Sequence, residues 1–364
     1  MSLAVLALAG VGVACAPTKP PAPPAPTQHC VLGTPDTAAE YQAAFDGLRN
    51  AGTDWRSSDG SLPVTLPDGR IVWMFGDTIV GSGNLGPRNS FVVQEAVPGG
   101  NCFRPILGPL PAPAPGQWLW PTAGVVEGNV LRVFALHMFD PPGQGSFDFA
   151  YMKMVVASFS LATLTHIGTT DVAIPTSGSL PSYGQTIVEL GDGFLYAYGK
   201  TSTGSGLDTI VNHYVARVAA GQVTTGTWEV WDGTDWSTTT SEAEPIHFSD
   251  PDADPAGPDD GPRAPLAVSA VTGGFLGSAL AWDVLSDQLE TWDAAAPQGP
   301  FTFRALARDI WPTGAPANQF GYGGRVVFEI PGGPIALWSI NHDTLIDPSV
   351  YKAIFAEPDS ASVP

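Results

Sequence analysis

Asp59 lies in SSDGS and Asp77 closes WMFGD, on the two apolar runs that flank the Asp68-Gly69 turn. Two carboxylates flanking one bond can divide acid and base roles, the arrangement that hydrolyses glycosides. A shared site drives their pKa values apart and leaves one protonated. Asp77 follows the apolar Trp-Met-Phe-Gly stretch, so it is the expected acid, and Asp59 in its polar stretch the expected base or nucleophile. A close Arg88 or Arg263 beside Asp77 would reverse that assignment or favour a binding role. The competing reading is structural: Asp59 opens a turn and Asp77 caps its strand through Thr78. In an ideal ladder the two occupy adjacent cross-strand positions on opposite faces, so a bulge at Trp-Met-Phe-Gly is needed to bring them together.

The elements that must hold these residues repeat five times. SLPVTLPDGRIVWMFGD, PTAGVVEGNVLRVFALH, GQTIVELGDGFLYAYGK, PLAVSAVTGGFLGSALAW and GRVVFEIPGGPIALWSIN each read as apolar run, Gly-containing turn, apolar run. Asp-Gly, Gly-Asn and Gly-Gly suit two-residue hairpins because they allow positive φ. The turn glycines are Gly69, Gly128, Gly193, Gly274 and Gly333, separated by 59, 65, 81 and 59 residues. A third strand-like run follows each hairpin: FVVQEAV, MVVASFS, HYVARVA, QLETWDA and VYKAIFA. Such a repeat, about 67 residues long, predicts an all-β, five-bladed β-propeller over residues 29–364. A two-domain β-sandwich would leave the even spacing unexplained. Residues 36–48 read as a short helix before the first blade.

If every turn lies on one face, the opposite hairpin ends form a mouth on the other. Pairing across the turns places Trp120 opposite His137, Gln185 opposite Lys200, Arg263 beside Ala264, and Gly324 opposite Asn341, with Tyr322 and His342 near. Arg88 and Asn89 open the strand after Asp77 and return to the same end. Arg88 and Asn89 could hold sugar hydroxyls or the carboxylates, or form a local structural salt bridge. Trp120, Tyr183 and Tyr322 offer flat apolar faces to sugar rings, or serve as core. His137 and His342 could carry protons or ligate a metal, or be satisfied polar residues.

Composition narrows the partners. Fifteen basic residues stand against 35 acidic ones, a formal charge of −20. Such a balance cannot neutralise phosphates, so nucleic acid is excluded as a partner. Lys/Arg clusters for an anionic membrane surface are missing. Gly-rich phosphate loops, a GxSxG elbow and a paired-cysteine zinc pattern are missing too. No cofactor is required on this reading. Asp250, Asp252 and Asp254 alternate as calcium ligands can, without the spacing of an EF-hand, and read equally as a solvated acidic loop.

Residues 1–14 hold an apolar run of signal-peptide length. GVAC ending at Cys15 resembles a bacterial lipoprotein box, with an ordinary cleaved signal as the alternative. Residues 15–28 then form a lipidated cysteine and a Pro-rich tether. Both readings imply an exported protein, held to a membrane only through the lipid. In an oxidising compartment Cys30 and Cys102 are expected to pair, two free thiols being the other possibility.

The string SDGSLPVTLPDGRIVWMFGDTIVG, followed by RNS, resembles the first blade of secreted actinobacterial five-bladed propellers of the arabinanase, invertase and levansucrase type, most closely the endo-D-arabinanase group. WPTAGVVEGNVLRVF, YVARVAAGQVTTGTWEVWDG, AAAPQGPFTF and VYKAIFAEP fit more loosely. The resemblance implies a five-bladed fold, a sugar substrate and catalytic aspartates falling on Asp59 and Asp77. Trp120-Pro121 and Tyr183-Gly184-Gln185 stand where the wider superfamily carries further acidic residues. The expectation is a monomeric glycoside hydrolase acting on an arabinan- or furanoside-type polysaccharide. The alternative is a non-catalytic propeller lipoprotein that binds glycan or protein.

Overall fold

The computed structural model describes residues 28–81, 83–141, 149–174, 180–203, 210–249, 261–281, 288–310, 319–342 and 350–364. After β1 (His29–Leu32) and α1 (Ala38–Asn50), blade 1 comprises β2 (Trp55–Thr65), β3 (Ile71–Val80), β4 (Asn84–Leu85), β5 (Ser90–Val97) and β6 (Gly100–Leu107). Blade 2 holds β7 (Gln117–Glu127), β8 (Val130–Phe139), β9 (Ala150–Ser160) and β10 (His166–Asp171). Blade 3 holds β11 (Thr186–Glu189), β12 (Phe194–Thr203), β13 (Ile210–Ala219), β14 (Glu229–Trp231) and β15 (Trp236–Ser237). Blade 4 holds β16 (Phe248–Ser249), β17 (Ala267–Val271), β18 (Gly274–Leu280), β19 (Gln288–Ala294) and β20 (Phe301–Asp309). Blade 5 holds β21 (Gln319–Val327), β22 (Ile335–His342) and β23 (Lys352–Ala356).

Each blade is one sheet, and its hairpins pair antiparallel in chain order. The five sheets form the expected five-bladed propeller. β2, β7, β11, β17 and β21 are the inner strands, packed one against the next around a central channel. All five predicted hairpins and all five third strands are present. Gly69 and Gly193 turn their hairpins at φ of 87° and 92°, where a Cβ would be strained.

Both faces of each blade are apolar because neighbouring blades stack on them. Leu62, Met74 and Phe91 meet Leu119, Leu131 and Phe159 between blades 1 and 2. Val125, Phe134 and Val156 meet Leu195, Ala197 and Val218 between blades 2 and 3. One larger cluster joins blades 3, 4 and 5 through Tyr198, Trp292 and Trp338.

Helix α1 closes the ring. Thr37 caps it by accepting the Glu40 N–H, and the Glu40 carboxylate reaches back to the Asp36 N–H. Ala38, Tyr41, Ala44, Phe45 and Leu48 face Trp73 and Phe75 of blade 1 and Leu337 and Phe355 of blade 5. Burial of Phe45 and of Leu48 contributes roughly 1.5–3 kcal/mol each, against about 1 kcal/mol for the cap, so packing holds the helix. Ala38 N–H also donates to Glu357, and Gln42 accepts the Phe355 N–H. Cys30 and Cys102 are bonded and are cross-strand partners on β1 and β6, which pins the chain's approach to the outer edge of blade 1. Cys15, the apolar leader and Asp250, Asp252 and Asp254 lie outside the described residues.

Candidate active site

The β2–β3 ladder is interrupted where the two aspartates face each other. Ser58 pairs with Thr78 and Gly60 with Phe75, so Asp59 alone opposes both Gly76 and Asp77. The ladder is restored by an extra residue on β2, Ser61, at φ 65°. This is the bulge the sequence required, within the Trp-Met-Phe-Gly stretch and its partner strand. Hydroxyls fix it from below: Thr78 Oγ1 lies 3.0 Å from the Gly76 carbonyl and 2.8 Å from Ser90 Oγ, and Trp55 Nε1 donates to Ser90 Oγ at 3.2 Å. Thr78 therefore does not receive the Asp77 carboxylate, and the capping reading falls.

Three blades hold the carboxyl groups. Tyr322 of β21 donates to Asp59 Oδ2 at 2.9 Å. Trp120 of β7 donates through Nε1 to Asp77 Oδ1 at 2.8 Å, and Arg88 Nη1 donates to Asp77 Oδ2 at 2.9 Å. Tyr351, just before β23, donates to the Asp77 carbonyl at 3.1 Å. Between them lies Gly76. A Cβ there would collide with Asp59 Oδ1 and sit 3.6 Å from Trp120 Cδ1, so glycine keeps the gap open.

The electrostatics are unequal. Burial pushes Asp59 up to about 7, the Asp77 charge adds to the rise, and the Tyr322 bond only partly opposes it. Burial also raises Asp77, but the Arg88 charge and the Trp120 and Arg88 hydrogen bonds work to keep it ionised. The order is the reverse of the one expected: the Arg88 pair makes Asp59 the better proton holder. Burial and the neighbouring carboxylates hold Tyr322 and Tyr351 well above the phenol range, as neutral donors.

Beside Asp77 stands an aromatic group. Arg88 lies over the Trp118 ring at 4.4 Å, and Phe149 meets the Trp120 ring edge-on at 4.8 Å while remaining 38% exposed. Sequence reasoning missed Trp118, Phe149 and Tyr351. Trp118 was signalled only by its alternation with Trp120, and Tyr351 by its place at the mouth end of VYKAIFA.

Other candidates fall elsewhere. Asn89 is buried, its amide committed to Leu110 and to the Leu119 carbonyl, so it staples blade 1 to blade 2 rather than meeting a ligand. Tyr183 is 1% exposed in the core between blades 2 and 3 and presents no face to a sugar. A register shift between Pro121 and Ala123 puts Trp120 opposite Leu136, and His137 opposite Leu119. His137 then engages Gln117 at 2.8 Å, and desolvation lowers its pKa. Gln185 bonds Tyr198 through its backbone and Ser182 through its amide, and Ser182, not Gln185, pairs with Lys200. A bulge between Tyr322 and Arg325 puts Phe320 opposite Asn341 and Gln319 opposite His342. Asn341 is buried and accepts the His342 N–H. Arg263 hangs on the Ala281 carbonyl at the end of blade 4. Among the described residues no cluster of three His, Cys, Asp or Glu could hold a metal.

The family model for a domain of unknown function, DUF5005, matches residues 42–361. The chain belongs to that family. No curated protein resembles this DUF5005 chain in sequence. Solved structures share its fold. A Bacteroides ovatus protein, provisionally described as a hydrolase, aligns with a TM-score of 0.63 at 17% identity, covering 88% of this chain and 89% of its own. A family 43 glycoside hydrolase from Xanthomonas citri gives 0.54 at 12%, covering 85% and 90%. A family 43 β-xylosidase/α-arabinofuranosidase from a compost microbial metagenome gives 0.50 at 14%, covering 83% and 90%. Glycoside-hydrolase propellers are therefore among the structural neighbours of this DUF5005 chain, and at such identities the likeness is one of fold.

Proposed function

We propose that this DUF5005 propeller is an exported glycoside hydrolase acting on a polysaccharide of the arabinan or furanoside type, with Asp59 as general acid and Asp77 as base. The observation that carries the reading is the carboxyl pair on one hairpin, facing across a glycine and held by unequal partners. Asp59, with the more strongly raised pKa, keeps a proton to give to the glycosidic oxygen as that bond breaks. Asp77 has both oxygens held by donors. That stabilises its anion and blunts it as a nucleophile, which suits activation of the attacking water. Trp120 and Phe149 offer a flat apolar flank for the sugar beside Asp77. The glycoside-hydrolase propellers among the fold neighbours support the same class of chemistry. On this proposal the chain works as a monomer without a cofactor, and Cys15 carries a lipid that tethers it outside the cell.

One observation favours a second reading. An Asp77 satisfied by both Arg88 and Trp120 also suits a rigid, non-catalytic mouth that binds glycan or protein. Purified protein incubated with arabinans, fructans and arabinogalactan, with reducing ends measured, decides between them. Hydrolysis lost in both Asp59→Asn and Asp77→Asn, with glycan binding retained, supports the enzyme. Binding without hydrolysis in all three proteins establishes the binding reading.

A further inference from the structure

A second feature of the channel plays no part in the carboxylate site. Toward the turn end, the inner strands of all five blades enclose a cavity of about 420 Å³, walled by residues such as Val64, Val125, Val188, Val268 and Val326. None of Asp59, Asp77, Tyr322 or Trp120 lines it. Among the described lining residues there is one cation, Arg325 of β21, placed beyond the bulge that follows Tyr322. Its Nε is shielded from solvent and without a hydrogen-bond partner. Among the described residues nothing hydrogen-bonds or ion-pairs with the terminal nitrogens of Arg325 itself.

A guanidinium in such a place is costly. It carries five donors and a charge that cannot be discharged near neutral pH; Arg325 is partly buried, and its Nε is withdrawn from water without a partner, which is unfavourable. Desolvation accordingly pushes its pKa down to about 10, with the Glu329 charge opposing the fall. Glu329 does not pair with it directly. Its carboxylate accepts the Phe328 N–H at 3.1 Å and stays exposed at the rim, as Glu189 does. The walls are valine-rich, and the hydroxyls of Thr65, Thr122 and Thr186 donate to main-chain carbonyls. The protein thus leaves a positive charge facing the cavity with no direct hydrogen-bond or salt-bridge partner, the carboxylates of Glu189 and Glu329 standing only at the rim.

We propose that this cavity is a binding site for one small monovalent anion, a halide or a short carboxylate, held on the Arg325 guanidinium. Charge and size choose the ligand. The rim carboxylates and the net charge of −20 oppose a multivalent anion. Apolar walls replace hydration poorly, which disfavours strongly hydrated sulfate or phosphate. The volume accommodates an anion with part of its water shell. Bound there, it ties the charge of blade 5 into the ring of inner strands, so anion binding stabilises the closed propeller by linkage. The proposal stands whether or not the mouth cleaves a sugar.

Thermal unfolding of the whole chain tests it, with sodium chloride or sodium acetate titrated against sodium methanesulfonate at constant ionic strength. The wild type should gain a few degrees in Tm with a saturable dependence on one or both anions. Arg325→Met should lose that dependence and, at the lowest anion concentration, melt no lower than the wild type, because it no longer buries a bare charge. Arg325→Lys, which keeps the charge but not the fork, should need at least tenfold more anion for half-saturation. Crystals grown in sodium bromide should show an anomalous peak on the terminal nitrogens of Arg325. A Tm insensitive to both anions, equal sensitivity in Arg325→Met, or, where chloride stabilises, bromide crystals without a peak at Arg325 would overturn the proposal.

Discussion

Replacing Asp59 with Asn tests the electrostatic account of the site without needing a substrate. In the folded chain burial, and then the Asp77 charge, push Asp59 up to about 7 from an ordinary 3.8. At roughly 1.4 kcal/mol per tenfold in proton affinity, a rise of that size puts the cost of ionising Asp59 in place at no more than about 4 kcal/mol. The sign follows from the raised value. The folded state binds this proton more tightly than the unfolded chain does. The stabilisation is therefore complete below about pH 4 and is lost as pH rises through about 7. Asn is isosteric and its carbonyl oxygen can still accept the Tyr322 hydroxyl, so the variant removes the charge and keeps the contact. Urea unfolding followed by tryptophan fluorescence, at pH 4.5 and pH 8.5, supplies the measurement. Asp59→Asn should gain roughly 1–4 kcal/mol on the wild type between the two pH values. Against a whole-domain stability of about 5–15 kcal/mol, that change is readily resolved. Parallel pH profiles for the two proteins, or a wild type that gains on the variant as pH rises, would refute the burial argument and the acid role with it. In an active enzyme the same titration should set the alkaline limb of kcat/KM near pH 7.

Gly76→Ala should leave the fold intact but cut turnover on the order of a hundredfold, as expected when a reacting group is displaced by about 1 Å, because its Cβ drives Asp59 Oδ1 off position; unchanged kcat in a well-folded variant would contradict the open gap. Arg88→Met removes the cation that favours Asp77 as an anion, so the acid limb of the pH–rate profile should move up by about 1 unit or more; an unmoved limb would detach Asp77 from that titration. Cys30→Ser should lower stability by about 2–4 kcal/mol with kcat unchanged, because the bond closes a long loop at the outer edge of blade 1 and far from the mouth; equal melting of wild type and variant under non-reducing conditions would show that the pair is not a working cross-link.

The hairpins were legible because their turns carry glycines in the left-handed region, as Gly69 and Gly193 do, and because blade faces read as unbroken apolar runs. The pairing at the mouth was legible only as far as the ladders run without interruption. Counting across a turn assumes one residue per step on each strand, and β2–β3, β7–β8 and β21–β22 each break that rule. The breaks moved His137 away from Trp120 and Asn341 away from Gly324. Burial was the other loss. Asn89 and Tyr183 have the chemistry of a sugar site, and alternation along a strand cannot tell an inner-channel position from a blade interface when both faces are apolar.

The break that defeated counting on β2–β3 is also what makes a site there. In a regular antiparallel ladder, adjacent cross-strand positions face opposite sides of the sheet, and Asp59 and Asp77 would be separated by the blade itself. One residue opposing two, followed by Ser61 forced to φ 65°, rotates Asp59 toward the gap above Gly76. A left-handed serine costs free energy, as does a carboxyl that burial pushes to about 7. Neither adds to the packing of blade 1, which Trp73, Phe75 and Phe91 already secure. Local strain and unfavourable electrostatics at this hairpin are what the proposed function requires of a site kept for chemistry rather than for stability.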